Sequence, residues 1–502
     1  MSDIISIIKD STLTYEQKVI SLARAAENSI NVLKISDKAQ QYRDEGIICD
    51  LFEGHAPYRP RYIVPDYEKF MKQGSQFLKL DPPKDLWEAI NSLMILYKHV
   101  PSITSFPVYV GNIDKLLEPF IQDEEEAYKA IKLFLTHIDR TLTDSFCHAN
   151  IGPEETKAGR LILKAEKELQ HAIPNLTIKF SSQTPEAFAL EAVETALVTA
   201  KPSFANHEMF SGEFGEQYAI ASCYNGLPIG GGSYTLVRLN LAGLGKKAAD
   251  EEDFINNVLP DAMNRMAGYM DERVRFLVEE SGFFETHFLV KEELISADRF
   301  TGMFGMFGLA ECVNHLLSAE KLQDKFGHSE RANQLGYRII EKMEEEVNKH
   351  QNPYCKVSKG RYLLHAQVGI DTDKNTSPGC RIPIGEEPEL HVHLMQAAKF
   401  HKFFPSGIGD IFPFDDTTKK NPQYILDIIK GAFQEKMRYF SIYASDSDVI
   451  RITGYLVKKS DMEKLNAGQQ VLQDTVVLGL GSVKNQKVLE RKVRSHDSGT
   501  CQ

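Results

Sequence analysis

From about residue 153 onward the apolar side chains change their spacing again and again, and this alternation limits the fold more than any single motif does. "PEETKAGRLILKAEKELQHAI" carries helical spacing, "NLTIKF" is a short β-prone run, and "TPEAFALEAVETALVTA" is a further helix opened by a Thr-Pro-Glu start. "AIASCYNGLPIGGGSYTLVRLNLAGLG" then sets β-prone segments around a glycine-rich turn. Helical stretches follow over about 251–282 and 305–350, while "GRYLLHAQVGID" and "LHVHLMQAAKF" add further extended pieces. Strand alternating with helix over some three hundred residues is the signature of one large α/β domain, with a barrel as its compact form.

Two flanking regions complete the chain. Residues 1–150 read as a mainly helical part packed on that domain, which spans 151–418. Its clearest helix runs from Asp123 to Leu142, where Ala127, Ile131, Phe134 and Ile138 form an apolar stripe behind an acidic first turn. After the polar linker "FPFDDTTKKNPQ", residues 419–502 form a last unit: the helix "QYILDIIKGAFQEKM", the strand "YFSIYAS" and "DVIRITGYLVKK".

Composition removes several classes of function. The 502 residues carry 58 basic and 70 acidic side chains, a net charge of -12, without a basic stripe for nucleic acid. No run approaches the roughly 20 apolar residues of a membrane span, and the first thirty residues are an amphipathic helix, not a signal peptide. A cytoplasmic protein is expected. The seven cysteines, at 49, 147, 223, 312, 355, 380 and 501, contain no C-x-x-C pair, so close-paired zinc or iron–sulfur ligation by this chain is excluded.

"DVIRITGYLVKK" has the make-up of a β-strand, except that Gly454 interrupts it. Glycine weakens a strand and commonly marks a bulge or turn. It is also the one residue that can lose its α-hydrogen unhindered, leaving a radical delocalised onto both neighbouring amides. The flanking residues decide between these readings. "RITGYL" resembles the Arg-Val-x-Gly-Tyr signature of the glycyl radical enzymes, a group that includes pyruvate formate-lyase, glycerol and choline lyases, and anaerobic class III ribonucleotide reductase.

In that family a glycyl radical takes a hydrogen atom from a cysteine on a loop inside a barrel. "PNLTIKFSSQTPEAFALEAVETALVTAKPSFANHEMF" is similar to the segment preceding this cysteine in the lyases, and "FGEQYAIASCYNGLPIGGG" then supplies Cys223. The reductase branch, with its Cys-Arg loop and Asn-Leu-Pro strand, nominates the same thiol, and "FTGMFGMFGLAECVNHLL" resembles its later helix start. A structural cysteine is the alternative; the other six lack comparable context, and only Cys380, in "TSPGCRIPIG", is kept as a second thiol to watch. The resemblance, strongest to the YjjI family, spans about 150–475. It implies a ten-stranded α/β barrel of two antiparallel half-barrels, with Gly454 on a loop inserted beside Cys223. It also implies a glycyl radical at Gly454 as the only cofactor, no metal in this chain, and a separate radical S-adenosylmethionine activating enzyme as partner. A small polar metabolite is the expected substrate, and a homodimer stays open.

Departures from the family pattern leave the reaction unassigned. The dehydratases and C–N lyases place a glutamate two residues after the cysteine, where this chain has Asn225, and an amide cannot act as a carboxylate base. Pyruvate formate-lyase has adjacent cysteines, where this chain has Tyr224. Asn225 and Glu311 are nevertheless taken as substrate contacts. Two other readings are carried along: a class III reductase-like enzyme, and a metal-dependent hydrolase in which His391 and His393, on one face of a strand, bind metal with Glu389 or His401. Gly230-Gly231-Gly232 could cradle phosphate but fits a tight turn better.

Overall fold

The computed structural model describes residues 2–50, 53, 58–103, 106–366, 373, 375–444 and 446–477. Its strands are β1 (Ile48–Cys49), β2 (Tyr62–Val64), β3 (His148–Ile151), β4 (Asn175–Phe180), β5 (Ser203–Asn206), β6 (Tyr218–Ala221), β7 (Asn225–Pro228), β8 (Gly231–Asn240), β9 (Phe300–Phe307), β10 (Leu363–Ala366), β11 (Asp410–Phe414), β12 (Tyr439–Ala444), β13 (Val449–Arg451) and β14 (Leu456–Lys458). They form two five-stranded sheets and two separate hairpins. In the first sheet β8 runs parallel to β9, and β9 to β10, while β1 and β2 pair antiparallel with β8. The second sheet has the order β11-β12-β5-β4-β3; β3, β4 and β5 are parallel, and β12, parallel to β11, meets β5 antiparallel.

The local sequence explains these elements. "NLTIKF" is β4 with all six residues buried, as expected of a strand covered on both faces. The helices Lys157–Leu169 and Glu186–Thr199 make the crossovers from β3 to β4 and from β4 to β5, burying Ile162, Leu163, Phe188 and Val193. Helix Glu124–Thr141 buries Ala127, Ile131, Phe134 and Ile138, and Asp123 caps it by accepting from the Glu126 amide. No helix among the described residues is long and apolar enough to cross a membrane.

Four expectations are corrected or narrowed. The protein is mixed α/β with ten strands in its two larger sheets, but no ladder joins those sheets among the described residues, so the closed barrel is not seen as such. Residues 300–307 are strand β9, where the sequence read helix from about 305; small glycines at 302 and 305 let Tyr362 and Arg238 pack against the strand. "LHVHLMQAAKFH" is not extended but the helix Leu390–His401, its pattern dominated by the helix-forming tail Gln396–His401. Gly230 turns the chain between β7 and β8, and an added Cβ at Gly231 or Gly232 would collide with the backbone of Arg299 or Tyr62, so these glycines serve close backbone approach.

The fourth concerns Gly454, which the residue pattern reads as interrupting a strand; it lies in a turn, in keeping with the loop that the resemblance implies. β13 and β14 are the arms of a hairpin, Ile452 N–H donates to Tyr455 O at 3.0 Å, and Thr453-Gly454 forms the tip. Ile450, Ile452, Tyr455 and Val457 anchor this hairpin in a small apolar cluster with Ile411, Tyr443, Met462 and Val471.

Candidate active site

Cys223 also sits on a hairpin tip. β6 and β7 pair antiparallel from Tyr218↔Pro228 to Ala221↔Asn225, leaving Ser222-Cys223-Tyr224 as the loop. Ser222 adopts φ of 60°, a left-handed conformation uncommon for a residue with a side chain and one the surroundings must enforce. They do so from several sides. Ser222 N–H donates to Val108 O at 2.8 Å, Tyr224 Oη to Ala366 O at 2.6 Å, and Gly226 N–H to Ser406 O at 3.0 Å. The side chain of Asn150, from β3, bonds both backbone groups of Ile220 at 2.8 Å.

The thiol is 2% exposed and donates to Asn225 Oδ1 at 3.2 Å. Burial pushes its pKa up to about 11, so near neutral pH it remains an S–H group instead of a thiolate nucleophile. Asn225 Nδ2 is buried beside it without a hydrogen-bond partner among the described residues, a donor available to a bound molecule.

The glycine hairpin and the cysteine hairpin meet at one side chain. Asn175, the first residue of β4, directs Nδ2 to Gly454 O at 2.9 Å and to Ser222 O at 3.4 Å. Its Oδ1 accepts from Arg451 Nη2 at 3.2 Å and from Leu176 N–H at 3.0 Å. Arg451 also donates to Gly454 O (3.3 Å) and to Ala200 O (2.9 Å), so two donors converge on the glycine carbonyl. Gly454 and its neighbours Thr453 and Tyr455 are buried. The guanidinium too is buried, which lowers its pKa below the ordinary arginine value.

A second chain of polar groups supports the thiol loop from below. His148 Nδ1 lies 3.0 Å from Ser222 O and its Nε2 2.8 Å from Thr177 Oγ1. Ser222 O can only accept, so the Nδ1–H tautomer fits and Thr177 donates to Nε2. With the Thr177 hydrogen on Nε2, the Tyr439 hydroxyl lies between two acceptors and shares its hydrogen between Thr177 Oγ1 at 2.8 Å and Cys223 O at 3.1 Å. Burial lowers the pKa of His148 to about 3, keeping the imidazole neutral. Sequence reading assigned no role to Asn175, Arg451, His148, Thr177 or Tyr439. Arg451 belongs to "RITGYL", and the polar Asn175 and Thr177 stand out in the apolar run "NLTIKF"; no local feature marks His148 or Tyr439.

The remaining candidates separate from this pair. Glu311 bonds Ser377 and lines a cavity that includes Ile452 but neither Cys223 nor Asn225. His391 and His393, two apart on a helix, point to different sides: His391 is exposed, whereas His393 is buried and bonds Asp410 at 3.0 Å. The proposed metal pair is therefore not formed, and the described residues contain no cluster of three metal-ligating side chains. Cys380 is buried and borders a small hole with Tyr224 and Arg381; Cys147, Cys312 and Cys355 are buried, Cys49 is half-buried, and Cys501 lies outside the described residues.

Known proteins share this architecture and sequence. The chain is 47% identical to a protein of Haemophilus influenzae over 98% of both chains, and 42% identical to the protein YjjI of Escherichia coli over 98% of this chain and 96% of that one. An anaerobic ribonucleotide reductase from Thermotoga maritima, solved with glycerol in its active site, superposes with a TM-score of 0.70 over 93% of this chain and 88% of that one. At 12% identity, that likeness speaks for the fold alone. The model of the YjjI-like glycyl radical enzymes matches residues 13–494, and the chain belongs to that family.

Proposed function

We propose that Gly454 is the residue that stores the radical and that Cys223 passes it to substrate. In the first step the S–H bond of Cys223 breaks and a Cα–H bond forms at Gly454, which moves the unpaired electron to sulfur. The thiyl then takes a hydrogen atom from a C–H bond of a small polar metabolite, reforming the thiol and leaving a substrate radical. The observation that carries this reading is the single amide of Asn175, which bonds Gly454 O and the carbonyl of Ser222, next to Cys223. A protonated thiol and a buried turn support it, since both the hydrogen and the radical need a site closed to water.

The same reading makes the two sheets halves of one ten-stranded barrel around the hairpin tips. Its activating partner is a separate radical S-adenosylmethionine enzyme, and its setting is an oxygen-free cytoplasm. Asn225 has no carboxylate to accept a proton, so the elimination aided by a base two residues from the cysteine is not assigned to this chain. Its free Nδ2 instead offers the substrate a hydrogen bond.

Oxygen supplies the test. Anaerobic activation followed by exposure to air should cleave the backbone at Gly454, and mass spectrometry should find a C-terminal fragment starting there. A chain that stays intact after a radical has been demonstrated, or that is cut elsewhere, overturns the assignment.

A further inference from the structure

A cavity of about 180 Å³ opens between helix Leu309–Leu316, residues 375–387, the start of β11 and the glycine turn, with Ile452 in its wall. Its lining carries both signs of charge, and most of these groups are already paired. Glu386 bonds Lys325 at 3.2 Å, and Asp410 is engaged by His393 at 3.0 Å and by the Ile411 amide at 2.7 Å. Two groups stand out. Glu311 gives Oε1 to the Ser377 N–H (3.0 Å) and Oγ (2.7 Å), but Oε2 is buried without a hydrogen-bond partner among the described residues. Arg381 spends Nε on Gly409 O at 2.9 Å, and Asp410 is 3.9 Å from that same nitrogen; its terminal Nη groups make no hydrogen bond among the described residues.

A buried acceptor without a donor is costly, and a guanidinium with both Nη groups free matches a carboxylate in bidentate fashion. One ligand can satisfy both. We propose that this cavity is a binding site for a small zwitterion of amino-acid type, its carboxylate on Arg381 and its ammonium group on Glu311 Oε2. Such an occupant abuts Ile452, two residues from Gly454, and holds the glycine turn in place. Its binding needs no radical and stands apart from the roles given to Gly454 and Cys223.

The test uses the full chain before activation. Glycine, β-alanine and 4-aminobutyrate, which differ in charge separation, are titrated calorimetrically, with propionate and propylamine as single-charge controls. At least one zwitterion should bind saturably and at least tenfold more tightly than either control, and should slow hydrogen exchange at 452–456. Arg381→Ala should abolish binding. Glu311→Gln, which keeps the shape of the side chain, should erase the tenfold preference over propionate. If Arg381→Ala does not fold, Arg381→Lys should weaken binding at least tenfold. No saturable binding by any zwitterion, or binding unchanged in Glu311→Gln, overturns the proposal.

Discussion

Asn175 Nδ2 lies 2.9 Å from Gly454 O, so the amide that opens β4 holds the tip of a hairpin 279 positions further along the chain. The same nitrogen reaches Ser222 O at 3.4 Å, and Arg451 donates both to Asn175 and to the glycine carbonyl. Four polar side-chain contacts thus fix where the glycine turn rests against the cysteine loop.

Replacing Asn175 by alanine removes a donor from two buried carbonyls. Gly454 O keeps Arg451 as a donor and Ser222 O keeps His148, so what is lost is two hydrogen bonds worth roughly 0.5–1.5 kcal/mol each, which corresponds to about 5- to 150-fold more frequent opening of the hairpin. Amides of residues 449–458 should exchange hydrogen faster by that factor, with the crossover helices Lys157–Leu169 and Glu186–Thr199 unchanged. Equal exchange in variant and parent would show that Asn175 does not hold the turn.

The Cys223 thiol should resist alkylation until strongly alkaline pH. An ordinary thiol titrates near 8.5, whereas burial moves this one up to about 11. Because the folded pKa lies above the unfolded one, the associated stability is fully present below about pH 8.5 and is lost as pH rises toward 11. Peptide mapping after iodoacetamide treatment of the native protein at pH 8 should find Cys223 unmodified; rapid labelling there contradicts the environment described.

Acid should loosen the support beneath the thiol loop. His148 is neutral and buried with a pKa of about 3, so the unfolded chain binds its proton first. Its contribution is present above about pH 6.5 and falls by up to about 1.4 kcal/mol per pH unit as pH drops toward 3. Asn in its place can still donate to Ser222 O but cannot titrate. His148→Asn should therefore show a shallower loss of thermal midpoint between pH 6.5 and 4.5, and identical slopes would remove His148 as a source of acid sensitivity.

Cys223→Ser should separate storage from use. The hydroxyl O–H bond is too strong for a glycyl radical to break, so the activated variant should keep the radical signal of the parent while substrate consumption falls to background. Turnover at the parent rate would move the hydrogen-abstracting role to another residue.

Much of this architecture could be read from residue order alone, because apolar periodicity is local. β4, β12 and the helix Glu124–Thr141 came out close to their sequence bounds for that reason. The resemblance puts Gly454 on a loop, as observed, whereas the residue pattern alone puts it inside a strand: "IRITGYLV" alternates equally well as one strand or as two short arms, and only the Ile452–Tyr455 bond sets the reversal. "LHVHL" alternates too, yet its continuation carries it into a helix and parts the two histidines. The pairings of Asn175, His148 and Tyr439 are not legible in the sequence, because their partners lie tens to hundreds of positions away and no local pattern encodes them.

The most direct measurement is the electron paramagnetic resonance spectrum of the anaerobically activated chain, prepared once with ordinary glycine and once with glycine deuterated at Cα. Storage at Gly454 requires a doublet from the single α-hydrogen, its collapse to a narrow line on deuteration, and no signal in Gly454→Ala. A spectrum indifferent to the label, or one that survives in Gly454→Ala, would contradict the account.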